Sequence, residues 1–195
     1  MQNRRIVRFR SSDHPELMAR AWRLRHRVFK ENLGWEVSSV DLLEFDHFDQ
    51  KAWHCAVLCG DQMLGYWRAL CTVEPYLLEL NFPALLEGKP APKSPRIWEI
   101  SRFALAPDDP DRRETGRLLV REMAAFGNDF QVNQILGVTE PAFERFLLRC
   151  HLPIRRISGP SVIGQGHGRD VQAMLVSFDV NSHTLASFGL IAEAA

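Results

Sequence analysis

The chain has 195 residues, 46% of them hydrophobic and 25% charged, enough for one α/β domain with its own core and crowded for two. Its 24 basic and 24 acidic side chains cancel, so it carries no overall signature of nucleic-acid binding, and no apolar run approaches the roughly 18 residues that cross a bilayer. The basic opening MQNRRIVRFR lacks the apolar segment of a secretory signal, which predicts a cytoplasmic protein without membrane insertion, organised as a single domain over 1–195.

Residues 4–9 alternate and are rich in branched and aromatic side chains, predicting a first strand. Asp13-His14-Pro15-Glu16 reads as a capping box with proline at the helix start, and Leu17, Ala21, Leu24 and Val28 continue at helical spacing, predicting a helix over 13–30. That helix is basic (Arg20, Arg23, Arg25, Arg27, Lys30) and is followed by an acidic stretch with Asp41, Glu44 and Asp46. The two either face one another, or a zwitterionic ligand, or are simply two solvated faces. Residues 31–50 keep no period and predict a long loop, a feature that in compact domains tends to carry function.

Two strand-like runs, 52–59 and 62–72, flank Gly60-Asp61 and predict a hairpin. The five prolines between 73 and 96 predict irregular chain with one short helix near 82–86. A strand at Ile97–Leu105, a loop at 106–111, a helix over 112–129, a strand at 134–138 and a helix over 142–150 follow. Strands near 154–157 and 171–178 and a short helix within 182–192 close the chain. Strands alternating with helices, together with antiparallel hairpins, give a mixed α/β sheet. Cys55, Cys59, Cys71 and Cys150 form no CxxC pair and read as reduced, small core residues.

Alternation in the 62–72 strand puts Arg68 on one face with Leu64, Tyr66 and Leu70, where a guanidinium needs an anion or must reach solvent from an edge. In the next strand Glu99 shares a face with Ile97, Ser101 and Phe103, while Arg102 shares the other with Trp98, Ile100 and Ala104. A half-buried Glu99 suits proton abstraction from an amine, or neutralisation of Arg68. Glu44-Phe45-Asp46-His47-Phe48-Asp49 interleaves acids with aromatic rings, a pattern suited to a ligand with positive charge and a flat part; Phe29 and Trp35 supply further rings. No calcium-loop, zinc, Walker or nucleophile-elbow motif is present, so neither a metal nor a cofactor is expected. Arg113-Glu114-Thr115-Gly116-Arg117-Leu118 partly resembles the acyl-CoA-binding turn of GNAT acetyltransferases, with Leu118 where that turn has a small residue.

Ordered blocks over the first 105 residues carry a more specific resemblance. They are Leu24-Arg25-His26-Arg27-Val28-Phe29, Gly34-Trp35, the acidic-aromatic block at 44–49, Gly65-Tyr66-Trp67-Arg68, Pro75-Tyr76-Leu77-Leu78, Phe82-Pro83-Ala84-Leu85-Leu86 and Trp98-Glu99-Ile100-Ser101-Arg102-Phe103-Ala104. In this order and spacing the chain resembles the acyl-homoserine-lactone synthases of the LuxI type, the autoinducer synthases of bacterial quorum sensing. The resemblance implies a GNAT-like mixed sheet with helices on both faces and a V-shaped cleft for an acyl-phosphopantetheine arm. It also implies acyl transfer from acyl-acyl-carrier protein or acyl-CoA to the amine of S-adenosylmethionine, then lactone closure with release of methylthioadenosine.

Carried onto this sequence, the resemblance places Arg25, Phe29, Trp35, Asp46 and Phe103 at S-adenosylmethionine and Asp49, Arg68 and Arg102 in an ion-pair network. Arg68 and Asp46 also count with the catalytic group, and Glu99 is the implied general base. Ser101 and Thr139 border the thioester and acyl chain. The basic residues Arg145, Arg149, Arg155 and Arg156 form either a docking patch for an acidic carrier protein or a solvated helix end. The competing readings are a GNAT acyltransferase acting on another amine and a non-enzymatic acyl-binding module.

Overall fold

The computed structural model describes residues 3–192, so the domain expected over 1–195 extends past the described residues at both ends. The elements, in chain order, are β1 (Arg4–Arg10), α1 (Pro15–Arg25), a π-turn (His26–Asn32), β2 (Ser39–Val40), β3 (Leu43–Glu44), a 3₁₀ turn (His47–Gln50), β4 (Trp53–Cys59) and β5 (Gln62–Cys71). They continue with α2 (Leu77–Asn81), a 3₁₀ turn (Pro83–Leu86), β6 (Ile97–Leu105), α3 (Arg112–Asp129), β7 (Gln134–Thr139) and α4 (Pro141–Arg149), then β8 (Arg155–Arg156), β9 (Ser161–Gly166), β10 (Arg169–Asp179) and α5 (Ser182–Ser187). The chain divides into two compact units. One comprises Met1–Ala69, Ser101–Leu119 and Gly164–Asp170; the other comprises Leu70–Ile100, Val120–Ile163 and Val171–Ala195.

In the first unit β1 pairs antiparallel with β4 from Arg4↔Cys59 to Arg10↔Trp53. β4 pairs antiparallel with β5, in register from Trp53↔Ala69 to Val57↔Gly65 before slipping to Leu58↔Met63. α1 lays Leu17, Met18, Ala21 and Leu24 into a buried cluster with Phe9, Ala56, Met63 and Tyr66. Each large apolar side chain taken from water there contributes about 1.5–3 kcal/mol, which outweighs the weak start of the helix. The expected capping box is not formed: the Asp13 amide donates to Arg10 O in the turn leaving β1, so His14 becomes the N-cap and makes no capping hydrogen bond. Glu16 instead meets His14 Nδ1 at 3.3 Å.

The helix expected over 13–30 widens after Arg25, where the Leu33 amide donates to Val28 O and the Trp35 amide to Phe29 O. Gly34 ends this turn at φ +64°, a left-handed conformation that disfavours side chains. A Cβ there would lie 2.6 Å from the His167 ring. The tip of the β9–β10 hairpin holds this loop: Gly166 bridges Trp35, and His167 Nε2 donates to Asn32 O at 3.1 Å. Gly34→Ala should therefore destabilise the protein by about 1–3 kcal/mol through combined strain and overpacking, read as a lower thermal midpoint.

In the second unit β6 pairs parallel with β7 from Ile97↔Gln134 to Glu99↔Leu136, and β7 pairs antiparallel with β10. β10 also pairs with β8 and β9. Parallel and antiparallel ladders together make the mixed α/β sheet that the sequence predicts. Trp98, Phe126 and Phe130 pack as a ring cluster, with Phe126 stacked on Phe130 at 4.4 Å. Of the four free cysteines, Cys55 and Cys150 are buried as expected, whereas Cys59 and Cys71 are half-exposed. Among the described residues no helix is long and apolar enough to cross a membrane. Nor is any group of three or more His, Cys, Asp or Glu among them placed to hold a metal.

Candidate active site

The acidic-aromatic block folds on its own carboxylates. Asp46 Oδ1 accepts from the Phe48 amide at 3.0 Å, and Asp49 Oδ2 accepts from the Asp46 amide at 3.1 Å, so the two aspartates cap the 3₁₀ turn reciprocally. Their remaining lone pairs meet arginines from three different elements of the first unit. Arg68 of β5 donates from Nη1 to Asp49 Oδ1 at 2.7 Å and from Nη2 to Asp46 Oδ2 at 2.8 Å, with a further bond to Asp46 Oδ1. Arg25, in the last turn of α1, donates from Nη1 to Asp49 Oδ1 at 2.6 Å and from Nε to Glu44. Arg102 of β6 donates from Nη2 to Glu44 Oε1 at 3.0 Å and to Asp46 Oδ2 at 3.2 Å. Trp22 adds its indole N–H to Asp49 Oδ2 at 3.0 Å.

Three carboxylates and three guanidiniums thus form a charge-balanced cluster, with Arg25, Arg68, Glu44 and Asp49 almost wholly removed from water. Burial alone would strip protons from Arg25 and Arg68 and return them to Asp46 and Asp49; the partners overrule it. Asp49 is held well below the usual carboxylate range against its burial, by Arg25 and Arg68, and Asp46 is lowered by Arg68 and Arg102. Arg25 and Arg68 are both raised against burial, Arg25 by Tyr66, Asp49 and Glu44, and Arg68 chiefly by its hydrogen bond to Asp46. The accounting is incomplete at one atom. Arg25 Nη2 is buried without a hydrogen bond, 3.8 Å from Asp46 Oδ2.

Aromatic rings surround these charges. Phe29 and Trp35 stack at 5.1 Å and 12°, and the Arg102 guanidinium lies 5.7 Å from the Phe29 ring centroid. Phe103 is half-buried on β6 in the same unit. The alternation expected along this strand, with Ser101 and Arg102 on opposite faces, is broken because Arg102 sits at φ +57°. Consecutive side chains then reach one cluster: Ser101 Oγ accepts from Arg68 Nε at 3.0 Å, beside the Arg102 bonds to Glu44 and Asp46. The division between ligand residues and ion-pair network also shifts, since Arg25 and Asp46 are members of the network themselves.

The second unit holds the other expected residues. Glu99 is fully buried, its Oε2 accepting from the Leu77 amide at 2.8 Å and its Oε1 from the Leu78 amide at 2.9 Å, in the first turn of α2. Thr139 is buried at the end of β7, and Arg145, Arg149, Arg155 and Arg156 are exposed. Two of these four are already engaged by acids, Arg156 by Glu144 at 3.0 Å and Arg155 by Asp179 at 3.8 Å. In the first unit, a surface cavity of about 640 Å³ at the start of α3 is lined by both Arg113 and Arg117 and the acids Asp111 and Glu114.

Sequence reasoning missed Glu44 and His54. Glu44 stood in the acidic block, but the two-residue strand that buries it has no periodic signature. His54 faces Arg68 across the β4–β5 ladder, but only because the register slips between Val57 and Leu58; counting outward from the Gly60-Asp61 turn sets Trp67 opposite His54 instead. Its pKa is pushed down to about 4, first by burial and then by Arg68 and Arg25. The unfolded chain takes up this proton near pH 6.5, so His54 contributes full stability above that pH, and the contribution falls as the pH drops toward 4. Thermal midpoints measured across this window should decline, and His54→Gln should flatten the decline.

The autoinducer synthase family model matches residues 10–185. An acyl-homoserine-lactone synthase of Pseudomonas aeruginosa is 34% identical over 161 residues, covering 76% of this chain and 78% of the relative. The crystal structure of the AHL synthase LasI superposes with a TM-score of 0.87 at 28% identity over 100% of both chains. TofI, solved with an inhibitor and MTA, gives 0.79 at 28% identity over 98% of each. An N-acetyltransferase of Lactobacillus plantarum shares the fold alone, with a TM-score of 0.61 at 16% identity over 91% of this chain and 99% of its own, which makes the architecture GNAT-like. On this evidence the chain belongs to the autoinducer synthase family and is an acyltransferase of the acyl-homoserine-lactone synthase kind.

Proposed function

We propose that this synthase moves a fatty acyl group from acyl-acyl-carrier protein or acyl-CoA to the amine of S-adenosylmethionine and then closes the lactone, releasing methylthioadenosine. The observation that carries the choice of amine substrate is the buried Arg25 Nη2, which lacks a hydrogen bond inside a balanced acid–arginine cluster beside the stacked Phe29 and Trp35. S-adenosylmethionine has a carboxylate for a guanidinium, positive charge for carboxylates and an adenine for ring stacking. MTA bound to TofI is consistent with the product.

In this reading Arg25, Phe29, Trp35, Asp46 and Phe103 contact the sulfonium substrate, while Asp49, Arg68 and Arg102 hold the cluster rigid around it. Glu99, held by the Leu77 and Leu78 amides, takes the amine proton directly or through water. The freed amine attacks the thioester carbon, next to Ser101 and with Thr139 along the acyl chain, and the thiol leaves with a proton. The methionyl carboxylate then attacks its own γ carbon, and the sulfonium departs as a neutral thioether. No metal or added cofactor enters these steps. Arg145 and Arg149, with Arg155 and Arg156 partly neutralised, offer positive charge to an acidic carrier protein. The chain works as one catalytic domain in the cytoplasm.

Incubation with S-adenosylmethionine and a panel of acyl-carrier and acyl-CoA donors, read by mass spectrometry, tests this. Acyl-homoserine lactone and methylthioadenosine should appear together with at least one donor. Their absence across the panel would overturn the reading.

A further inference from the structure

Behind the acid–arginine cluster lies a buried polar chain that the reaction itself does not use. His54 of β4 is fully buried, directly across the ladder from Arg68 on one side and from Phe9 of β1 on the other. Its ring lies between two others, stacked on Phe9 at 5.2 Å and on Tyr66 at 5.9 Å. His54 Nε2 lies 2.9 Å from the backbone oxygen of Asp49, and Nδ1 lies 2.6 Å from the Tyr66 hydroxyl.

The partners fix the proton. A carbonyl oxygen only accepts, so Nε2 must carry the hydrogen; Nδ1 of the neutral ring is then bare, and the Tyr66 hydroxyl donates to it. Tyr66 itself is fully buried, with its ring centroid 6.0 Å from the guanidinium carbon of Arg25. Every hydrogen bond in this chain points one way, from Tyr66 through His54 to the main chain of Asp49. That residue's carboxylate bridges Arg25 at 2.6 Å and Arg68 at 2.7 Å.

We infer that His54, oriented by Tyr66, is a positioning residue for the amine-substrate site: its Nε2–H pins the Asp49 backbone and so sets where the Asp46–Asp49 turn presents its carboxylates. The inference rests on the reading that this cluster receives S-adenosylmethionine. The reciprocal Asp46 and Asp49 caps fix the turn's internal shape. Arg68, Arg25, Arg102 and Trp22 hold its carboxylates from other elements, whereas His54 holds its main chain. The His54 bond ties the turn to the sheet, and the effect should fall on one substrate only.

The test compares steady-state constants for both substrates in His54→Phe, His54→Gln, Tyr66→Phe and Asp49→Asn. His54→Phe keeps a flat ring and loses the donor; His54→Gln restores an N–H near the same place. Losing the anchor of a charge-bridging turn should raise KM for S-adenosylmethionine about tenfold, with KM for the acyl donor unchanged and most of the loss recovered in His54→Gln. Tyr66→Phe, which removes one oxygen from a ring that remains packed, should show the same split in weaker form and serves if His54→Phe does not fold. Equal losses for both substrates, no rescue by glutamine, or unchanged constants in His54→Phe and Tyr66→Phe would overturn the inference. Asp49→Asn separates the two levels. If it leaves the S-adenosylmethionine KM unchanged, the site assignment itself falls; if it raises that KM while the His54 and Tyr66 variants do not, only the positioning role falls.

Discussion

Arg68→Met should lower the thermal midpoint by about 6–20 °C, the shift expected of a loss of about 3–5 kcal/mol in a chain this size. Methionine fills much of the same volume, so the loss is not one of packing. Asp49, buried, and Asp46, half-buried, would lose the guanidinium that bonds both of them, leaving the three carboxylates of the cluster against only the two positive charges of Arg25 and Arg102. The cost comes from stranding those charges and exceeds any net worth of the intact pairs, because desolvating the ions already consumes much of their attraction. Arg156→Ala is the matched contrast. Arg156 also bonds a carboxylate, that of Glu144, but at an exposed position, and water takes over from the lost partner. Its midpoint should stay within measurement error of the parent. A drop in Arg68→Met no larger than in Arg156→Ala would mean that the buried cluster is not held as described. Adding Asp49→Asn to Arg68→Met should cost less than the two single changes summed, because the second removes a charge that the first has stranded.

The parts of the site legible in the sequence are those set by periodic elements. Arg68 was marked by its place among apolar neighbours in a strand, and β5 does bury it completely. The Gly60-Asp61 turn located the β4–β5 hairpin because a glycine at φ +56° is a local, readable demand. Legibility ended where the backbone departs from its period. The turn between β2 and β3 uses Asp41 and Leu42, both at positive φ, with no glycine to announce it, so a region containing a hairpin and a 3₁₀ turn reads as loop. The π-turn after Arg25 adds a residue per turn that a helical count cannot anticipate. At Arg102 a single left-handed residue lets neighbours in sequence share a destination, and strict alternation separates them wrongly. Glu44 and His54 were missed for the same reason: their partners lie 19 residues away at Arg25 and across a strand ladder. Tertiary geometry selects them. The family resemblance supplied what residue chemistry could not, the identity of the charged ligand, because an acid–arginine–aromatic cluster suits many zwitterions equally well.

Glu99→Gln carries the largest expected change in rate. If Glu99 removes the amine proton, replacing it by an amide should lower turnover by about 10²–10⁴-fold. The structure adds a second consequence that must be separated from the first. Both carboxylate oxygens accept backbone amides, from Leu77 and Leu78. A glutamine presents one oxygen and one NH₂ group, so one backbone N–H would face another donor in a fully buried place. That mismatch should cost about 1–3 kcal/mol, and it would lower the thermal midpoint whether or not Glu99 has any chemical role. Rates must therefore be measured with saturating substrates, well below the variant's own midpoint. A variant that unfolds earlier yet keeps kcat within about threefold of the parent, a change of well under 1 kcal/mol in the barrier, would make Glu99 the anchor of α2 and nothing more. Loss of turnover far beyond what the fraction of folded protein accounts for, at unchanged KM for both substrates, would place the carboxylate in the transition state.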